Sequence, residues 1–437
     1  MKPQKSTHDP QLDLFKIELN RIVNNHHPLV KLAAQMNWSE FDEQFDPYFS
    51  EEGRPAIETR LMVSMHYLKY THNLSDEEVV NRWVENPYWQ YFSGRQHFEH
   101  EIPFDPSGMT RWRKRIGSEG AESLLSETIQ TALKQGYLKS TQCQRVSVDT
   151  TVQTKDVRFP TDARLYDRMR ETLVKTAQAE GIALRQSYAR IGKKTLRRQQ
   201  NYAHAQQMKR AARETKRLKT MLGRVTRDIE RKTESHNEIL KEQLTLGKRL
   251  LQQTKTSKNK IYSIHEPQVQ CIAKGKAHQR YEFGGKVGFV VSAKGNWILG
   301  AQAFKGNPYD GHTLKDSLRQ AEKVTDISIK QATCDQGYRG HGVESTRVLI
   351  VPRRKNRASK TIRQWWRRRN AIEPIIGHQK SEHRLNRNHL AGELGDQMNA
   401  LLSACGFNIK KLIRAFCPLL RQLIMMLLNV NCQRTFA

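Results

Sequence analysis

The alternation of apolar and polar residues along the chain changes period twice. Residues 1 to about 135 carry helical spacing throughout. In the stretch SDEEVVNRWVENPYWQYF, Ser75 opens a helix as N-cap and Glu78 stands three residues on, the pairing of a capping box. Val79, Trp83 and Val84 then draw an apolar stripe, and Pro87 is expected to stop it. A second, short helix is expected in PSGMTRWRKRIG, which carries Arg111, Arg113, Lys114 and Arg115. From about 196 to 249 the chain is long, polar and helical. Gly223 is its only glycine before Gly247, and Leu218, Leu222, Val225 and Ile229 recur three or four apart. That spacing predicts a helical hairpin or coiled-coil-like excursion with one packed apolar seam and a basic face.

On either side of this excursion the period shortens to that of strands. CQRVSVDTTV is a β-branched run expected to end at Asp149. Two apolar runs, 287–291 and 297–303, flank SAKGN and predict a hairpin. A helix in HTLKDSLRQAEKV follows, begun by Thr313. Next come a strand in ISIKQATCDQGY that reaches Asp335, a strand in RVLIVP, and a helix around Glu373. Strands in this order with helices between them predict an α/β core, a mixed central sheet with flanking helices, interrupted by the helical insertion. Asp149 and Asp335 then sit at the carboxyl ends of strands, where such sheets bind ligands.

Charge narrows the choice of partner. Among 437 residues there are 74 Lys and Arg against 44 Asp and Glu, a net charge of +30 and a pI near 10.0. A polyanion, and nucleic acid first among polyanions, accounts for that excess. No apolar run approaches the roughly 20 residues of a membrane span. The longest, LIMMLLNV at 423–430, is too short, and the N-terminus lacks the apolar segment of a signal peptide, so a cytoplasmic, nucleoid-associated location is expected. Cys143, Cys271, Cys334, Cys405, Cys417 and Cys432 are scattered singly, which supports neither a disulfide framework nor a zinc site. The histidine pairs His26/His27 and His97/His100 read as surface or capping residues.

Three carboxylates stand in basic or apolar text: Asp149 in SVDTT, Asp335 in TCDQGYRG and Glu373 in RNAIEPIIGHQK. No other acid lies between Glu344 and Glu373, and 353–369 holds nine Arg or Lys. A carboxylate repels a polyanion unless a cation stands between them. Magnesium or manganese fits, since hard cations take carboxylate and phosphate oxygens, and two such ions about 4 Å apart clamp the attacking and leaving oxygens of a displacement at phosphorus. Each residue alone has a plainer explanation. Asp149 caps a turn through Thr150 and Thr151, Asp335 forms an Asx-turn before Gly337, and Glu373 pairs with Arg369 one turn away. It is the set of three, in strand, strand, helix order, that favours a metal site.

With these residues in view the chain resembles the DDE transposases of bacterial insertion sequences, specifically the insertion sequence five (IS-five) group. That group's last motif runs Tyr, two residues, Arg, three residues, Glu, six residues, Lys. Arg369, Glu373 and Lys380 match it here, while Trp366 holds the tyrosine position. VDTT and DQGYRG extend the resemblance, as does the amino-terminal RPAIETRLMVSMHYLKYTHNLSDEEVVNRW. The resemblance implies an RNase H-like catalytic core in which Asp149 bridges two Mg2+ or Mn2+ ions, Asp335 holds one and Glu373 the other. It further implies cleavage of double-stranded DNA at the element's terminal inverted repeats, strand transfer to target DNA, and a homo-oligomer assembled on DNA.

On this reading residues 1–138 form an N-terminal all-helical DNA-binding domain, and 139–158 with 272–416 the catalytic domain. Residues 159–271 form the basic insertion, and 417–437 a tail. At about 100° per residue, Arg369, Glu373 and Lys380 share one face of one helix, where Arg369 and Lys380 can hold phosphates. Tyr338, Arg339, His312, Arg111 and Arg113 are further candidates for DNA contact. His312 alternatively approaches the metals or caps its helix, Tyr338 and Arg339 alternatively pack their turn, and Trp365 and Trp366 read as core residues before base-stacking ones. Two other functions stay open: an RNase H-like nuclease without strand transfer, and a non-catalytic DNA-binding repressor.

Overall fold

The computed structural model describes residues 2, 16–53, 55–232, 237–273, 280–352 and 359–417. Cys432, the run 423–430 and nearly all of the expected tail lie outside the described residues. The chain folds as two units, Met1–Thr154 with Gly285–Ala437, and Lys155–Gly284.

Among the described residues six strands form in chain order: β1 (Arg145–Thr154), β2 (Gln270–Ala273), β3 (Tyr281–Ser292), β4 (Ile298–Phe304), β5 (Gln331–Cys334) and β6 (Arg347–Ile350). In the first unit β1 pairs in parallel with β5, Val146 opposite Ala332, and β5 in parallel with β6, Cys334 opposite Ile350. β3 and β4 form the expected antiparallel hairpin, Phe289 opposite Ala301. Its turn places Gly295 and Asn296 at positive φ, which glycine and asparagine tolerate best. The sheet is therefore mixed, with β3 and β5 on either side of β1.

Helices Ser107–Lys134, Asp310–Thr325 and Gly392–Ala415 pack against β4. Helix Thr59–Thr71 packs on Gly392–Ala415 so closely that a Cβ at Gly406 would lie 2.6 Å from the Tyr70 carbonyl. One hydrophobic core runs from Phe41, Trp83 and Trp112 in the amino-terminal helices to Val148, Val290, Ala332 and Leu401 around the sheet. The switch of period near residue 138 thus marks a change of element within a shared core.

The Ser75 capping box forms as expected, with Ser75 Oγ accepting from Glu78 N–H and Glu78 Oε2 from Ser75 N–H. Pro87 does end that helix, but by beginning the next as its first residue, capped by the Asn86 side chain. The basic segment is the first arm of the 28-residue helix Ser107–Lys134, which kinks at Gly117, φ 62°. No helix among the described residues is long and apolar enough to cross a membrane.

The second unit is built on helices Asp162–Ala179, Ala189–His204, Met208–Lys232 and Glu238–Gln252. Leu218, Leu222, Val225 and Ile229 are buried along one seam, as their spacing predicts, against Leu165, Met169, Leu173, Leu240 and Leu244. A buried Asp167–Arg170 pair fills the approach to Gly192, where a Cβ would stand 2.7 Å from Asp167 Oδ1. β2 pairs with the first residues of β3, Tyr281–Gly284.

Candidate functional site

β1 does not end at Asp149. It runs on through Thr150, Thr151, Val152 and Gln153 to Thr154, because β-branched residues continue the strand beyond the acid. Asp149 is therefore a mid-strand residue. Asp335 immediately follows β5, the parallel neighbour of β1, as expected. Each aspartate is fixed by a backbone amide: Asp149 Oδ1 accepts from Thr150 N–H at 2.9 Å, and Asp335 Oδ1 from Gly337 N–H at 2.9 Å in the anticipated Asx-turn. The second oxygen of each is left to face a common neighbour, Arg369. Its Nη2 lies 2.8 Å from Asp149 Oδ2 and 3.6 Å from Asp335 Oδ2.

The third carboxylate reaches the same guanidinium. Arg369 Nη1 donates to Glu373 Oε1 at 3.2 Å. The two residues do not share one uninterrupted helix, however: Lys360–Arg369 ends and Ile372–Glu382 begins across Asn370 and Ala371. Pro374 explains the break, for it has no N–H to offer the carbonyl of Asn370 four residues back. Both linking residues keep right-handed helical angles, so Glu373 still lies one turn from Arg369. Side-chain exposure rises from 10% at Arg369 and 16% at Asp149 to 43% at Asp335 and 67% at Glu373, so the cluster opens to solvent on its glutamate side.

A fourth carboxylate adjoins this cluster, and sequence reasoning passed over it. Asp310, first residue of its helix, accepts from Thr150 Oγ1 at 2.7 Å and from Lys286 Nζ at 2.9 Å through Oδ1. A Cβ on Gly337 would lie 3.1 Å from both Asp310 Oδ2 and Asp335 Oδ1, so that glycine lets the two acids approach. The helix begins at Asp310 rather than Thr313, whose hydroxyl donates back to the Asp310 carbonyl. An acid at a helix start normally reads as a cap, which is why the sequence held no sharper signal.

The remaining candidates separate by burial. Tyr338 is fully buried, packing the turn rather than facing DNA. Burial first, then the neighbouring Cys334, Asp149, Asp310 and Asp335, push its phenol far above the usual range, so it stays protonated. Arg339 and His312 are exposed, His312 standing edge-on to Tyr309. Lys380 is half-buried on its helix. Arg111 is exposed, but Arg113 points inward, held bidentate by Asp76 at 2.9 and 2.7 Å. Trp365 and Trp366 are both buried, with Arg145 and Arg368 over the Trp365 ring.

No group of three or more His, Cys, Asp or Glu among the described residues is arranged to hold a metal ion as it stands. The donors nevertheless suit a hard divalent cation, since three carboxylates converge and the point of convergence carries positive charge, supplied by Arg369.

Comparison with known proteins adds independent findings. A family described as Transposase domain (DUF772) matches residues 17–115, and a family described as Transposase DDE domain matches residues 330–413. The second match contains Asp335, Arg369, Glu373 and Lys380, while Asp149 and Asp310 lie outside both. The chain is 52% identical over 195 residues to a Rhizobium meliloti protein named Uncharacterized protein ORF8 in nfe locus, an alignment covering 45% of this chain and 94% of that protein. No solved structure matches the chain.

Proposed function

We propose, from the premise that this chain belongs to the family of that Rhizobium meliloti protein and carries two transposase domains, that it is a DDE transposase of an insertion sequence. In this reading it binds the terminal inverted repeats of its element, cuts the DNA strands there and joins them to target DNA. The fold is read as RNase H-like, and the supporting feature is the parallel pair β1 and β5, which sets Asp149 beside Asp335. The observation that carries the proposal is the meeting of Asp149, Asp335 and Glu373, 186 and 38 residues apart in sequence, at one guanidinium.

Asp149, Asp335 and Glu373 are the residues that would hold two Mg2+ or Mn2+ ions. Bound there, such ions supply Lewis-acid stabilisation of the phosphate and a more acidic attacking hydroxyl. The protein's own groups set up that chemistry. The amides of Thr150 and Gly337 lock one oxygen of each aspartate and leave the other directed into the site. Lys286 and Thr150 hold Asp310 alongside. Arg369, Lys380 and the exposed Arg339 bring positive charge to a DNA backbone that the carboxylates would otherwise repel. Arg111 is assigned to the backbone as well, and assembly of several copies on the two element ends belongs to the same reading.

The test uses DNA carrying the element's ends and the full chain with Mg2+ or Mn2+. Asp149→Asn and Glu373→Gln should each abolish strand cleavage and leave end binding within about twofold, the separation expected when a residue acts only on chemistry. Pre-cleaved ends offered with target DNA should be joined by the unmutated protein. Cleavage without joining would reduce the protein to a nuclease, and end binding without cleavage would leave a repressor.

A further inference from the structure

The arginine at the centre of the site performs a task that holding phosphate does not explain. Its guanidinium is buried and contacts all three carboxylates, through Nη2 to Asp149 and Asp335 and through Nη1 to Glu373. Its Nε is buried with no hydrogen-bond partner among the described residues, so the side chain is placed to meet the carboxylates and not to satisfy every donor. Three carboxylates gathered in a partly desolvated site repel one another, and a positive charge among them, from a guanidinium or from a metal ion, offsets that repulsion.

Resting on the metal-site reading above, we propose that Arg369 is an internal counter-ion that occupies the cation position in the metal-free protein. Divalent ions enter only as its guanidinium leaves. Arg369 is thereby a positioning residue. It keeps the carboxylates oriented before the ions arrive, and it lowers metal affinity until it departs. The exposed flank formed by Asp335 and Glu373 is the side from which an ion would reach the cluster. A guanidinium released from the carboxylates is free to pair with a phosphate oxygen, which would couple DNA arrival to metal loading.

Direct Mn2+ binding tests this without any assay of activity. The free-ion electron paramagnetic resonance signal is titrated for the unmutated full chain, for Arg369→Gln, for Arg369→Lys, and for each in an Asp149→Asn background. A site closed by its own counter-ion nine-tenths of the time binds about tenfold more weakly than the open one, so Arg369→Gln should bind Mn2+ about tenfold more tightly. Arg369→Lys keeps the charge but cannot span three carboxylates, and should fall between the two. It also serves where Arg369→Gln fails to fold. Asp149→Asn should abolish the binding in every background. If Asp149-dependent binding is present but neither folded variant binds more tightly, the counter-ion role is overturned and the metal site stands. If no protein binds Mn2+ through Asp149, the metal reading falls and this inference with it.

Discussion

Gly337 stands so close to two carboxylates that any side chain there would press on them. A methyl group there would sit 3.1 Å from a carboxylate oxygen of Asp310 and another of Asp335, while its own amide holds Asp335. Gly337→Ala should therefore displace Asp335 by a few tenths of an ångström and lower cleavage by about tenfold or more. Its melting temperature should stay near that of the unmutated protein, since the backbone there is not in the left-handed region. A fall in both together would mean that Gly337 serves the fold and not the site. Two buried histidines add a response to pH. His66 is fully buried, with Nδ1 donating to the Met62 carbonyl and Nε2 accepting from Arg113, and Asp76 and Lys69 lie close by. Burial, reinforced by the Arg113 charge, lowers its pKa from 6.5 to about 3. His383, bonded through Nδ1 to the Tyr70 carbonyl, is lowered by burial to about 4. Both are bases whose folded pKa is depressed, so their contribution is full above pH 6.5. Below that the unfolded chain takes up protons that the folded one refuses, and stability falls by at most about 1.4 kcal/mol per pH unit for each group. Urea unfolding at pH 7 and pH 5 should show this loss, and His66→Gln should lose less across the same interval. Equal losses in the two proteins would exclude His66 as the source.

Local signals in the sequence foretold local structure, and the capping box of helix Asp76–Glu85 is the clearest case. Ser75 and Glu78 satisfy each other's amides within one turn, so nothing distant can overrule them. The seam of Leu218, Leu222, Val225 and Ile229 and the hairpin around Gly295 and Asn296 were legible for the same reason. What was not legible depends on residues brought together from afar. Asp149 reads as the end of a strand only if an acid is assumed to stop one, yet it is accommodated in mid-strand because Thr150 N–H and Arg369 take its oxygens. Arg113 reads as a DNA-facing residue of a basic helix until Asp76, 37 residues earlier, claims it. Asp310 has no periodic or motif signal and acquires meaning only when Gly337 is seen against it. The same helix start distinguishes local from distant stabilisation. Ser75→Ala removes one cap and should cost about 1 kcal/mol. Asp76→Ala leaves Arg113 and Lys69, both buried, without their carboxylate and should cost about 3 to 5 kcal/mol. Comparable losses in thermal unfolding would show that the ion cluster adds nothing beyond capping.

At the scale of the whole molecule the charge is unevenly shared. Residues 155–284 contain 31 Lys and Arg against 13 Asp and Glu, which is +18 of the chain's +30 in under a third of its length. Much of it lies on the helices Ala189–His204 and Met208–Lys232, where Lys193, Lys194, Arg197, Arg198, Arg213, Lys216, Arg217 and Arg224 are all exposed. The apolar seam of Met208–Lys232 faces inward. Arg217 pairs with the buried Glu214 and Arg224 reaches the Tyr188 hydroxyl, and phosphate binding is the reading that uses the other charges. The carboxylate site belongs entirely to the other unit. Affinity and chemistry should therefore separate by unit. Replacing Lys193, Lys194, Arg197 and Arg198 together by glutamine should flatten the dependence of log affinity on log salt by about 0.9 for each phosphate no longer neutralised, up to roughly 3.6 for four. The weakening should be similar for element ends and unrelated duplexes, because phosphates carry no sequence. Cleavage at saturating DNA should persist, since no group of the carboxylate cluster has been altered. An unchanged salt slope would remove this unit from the DNA interface. A slope that falls for element ends alone would instead assign it the reading of their sequence.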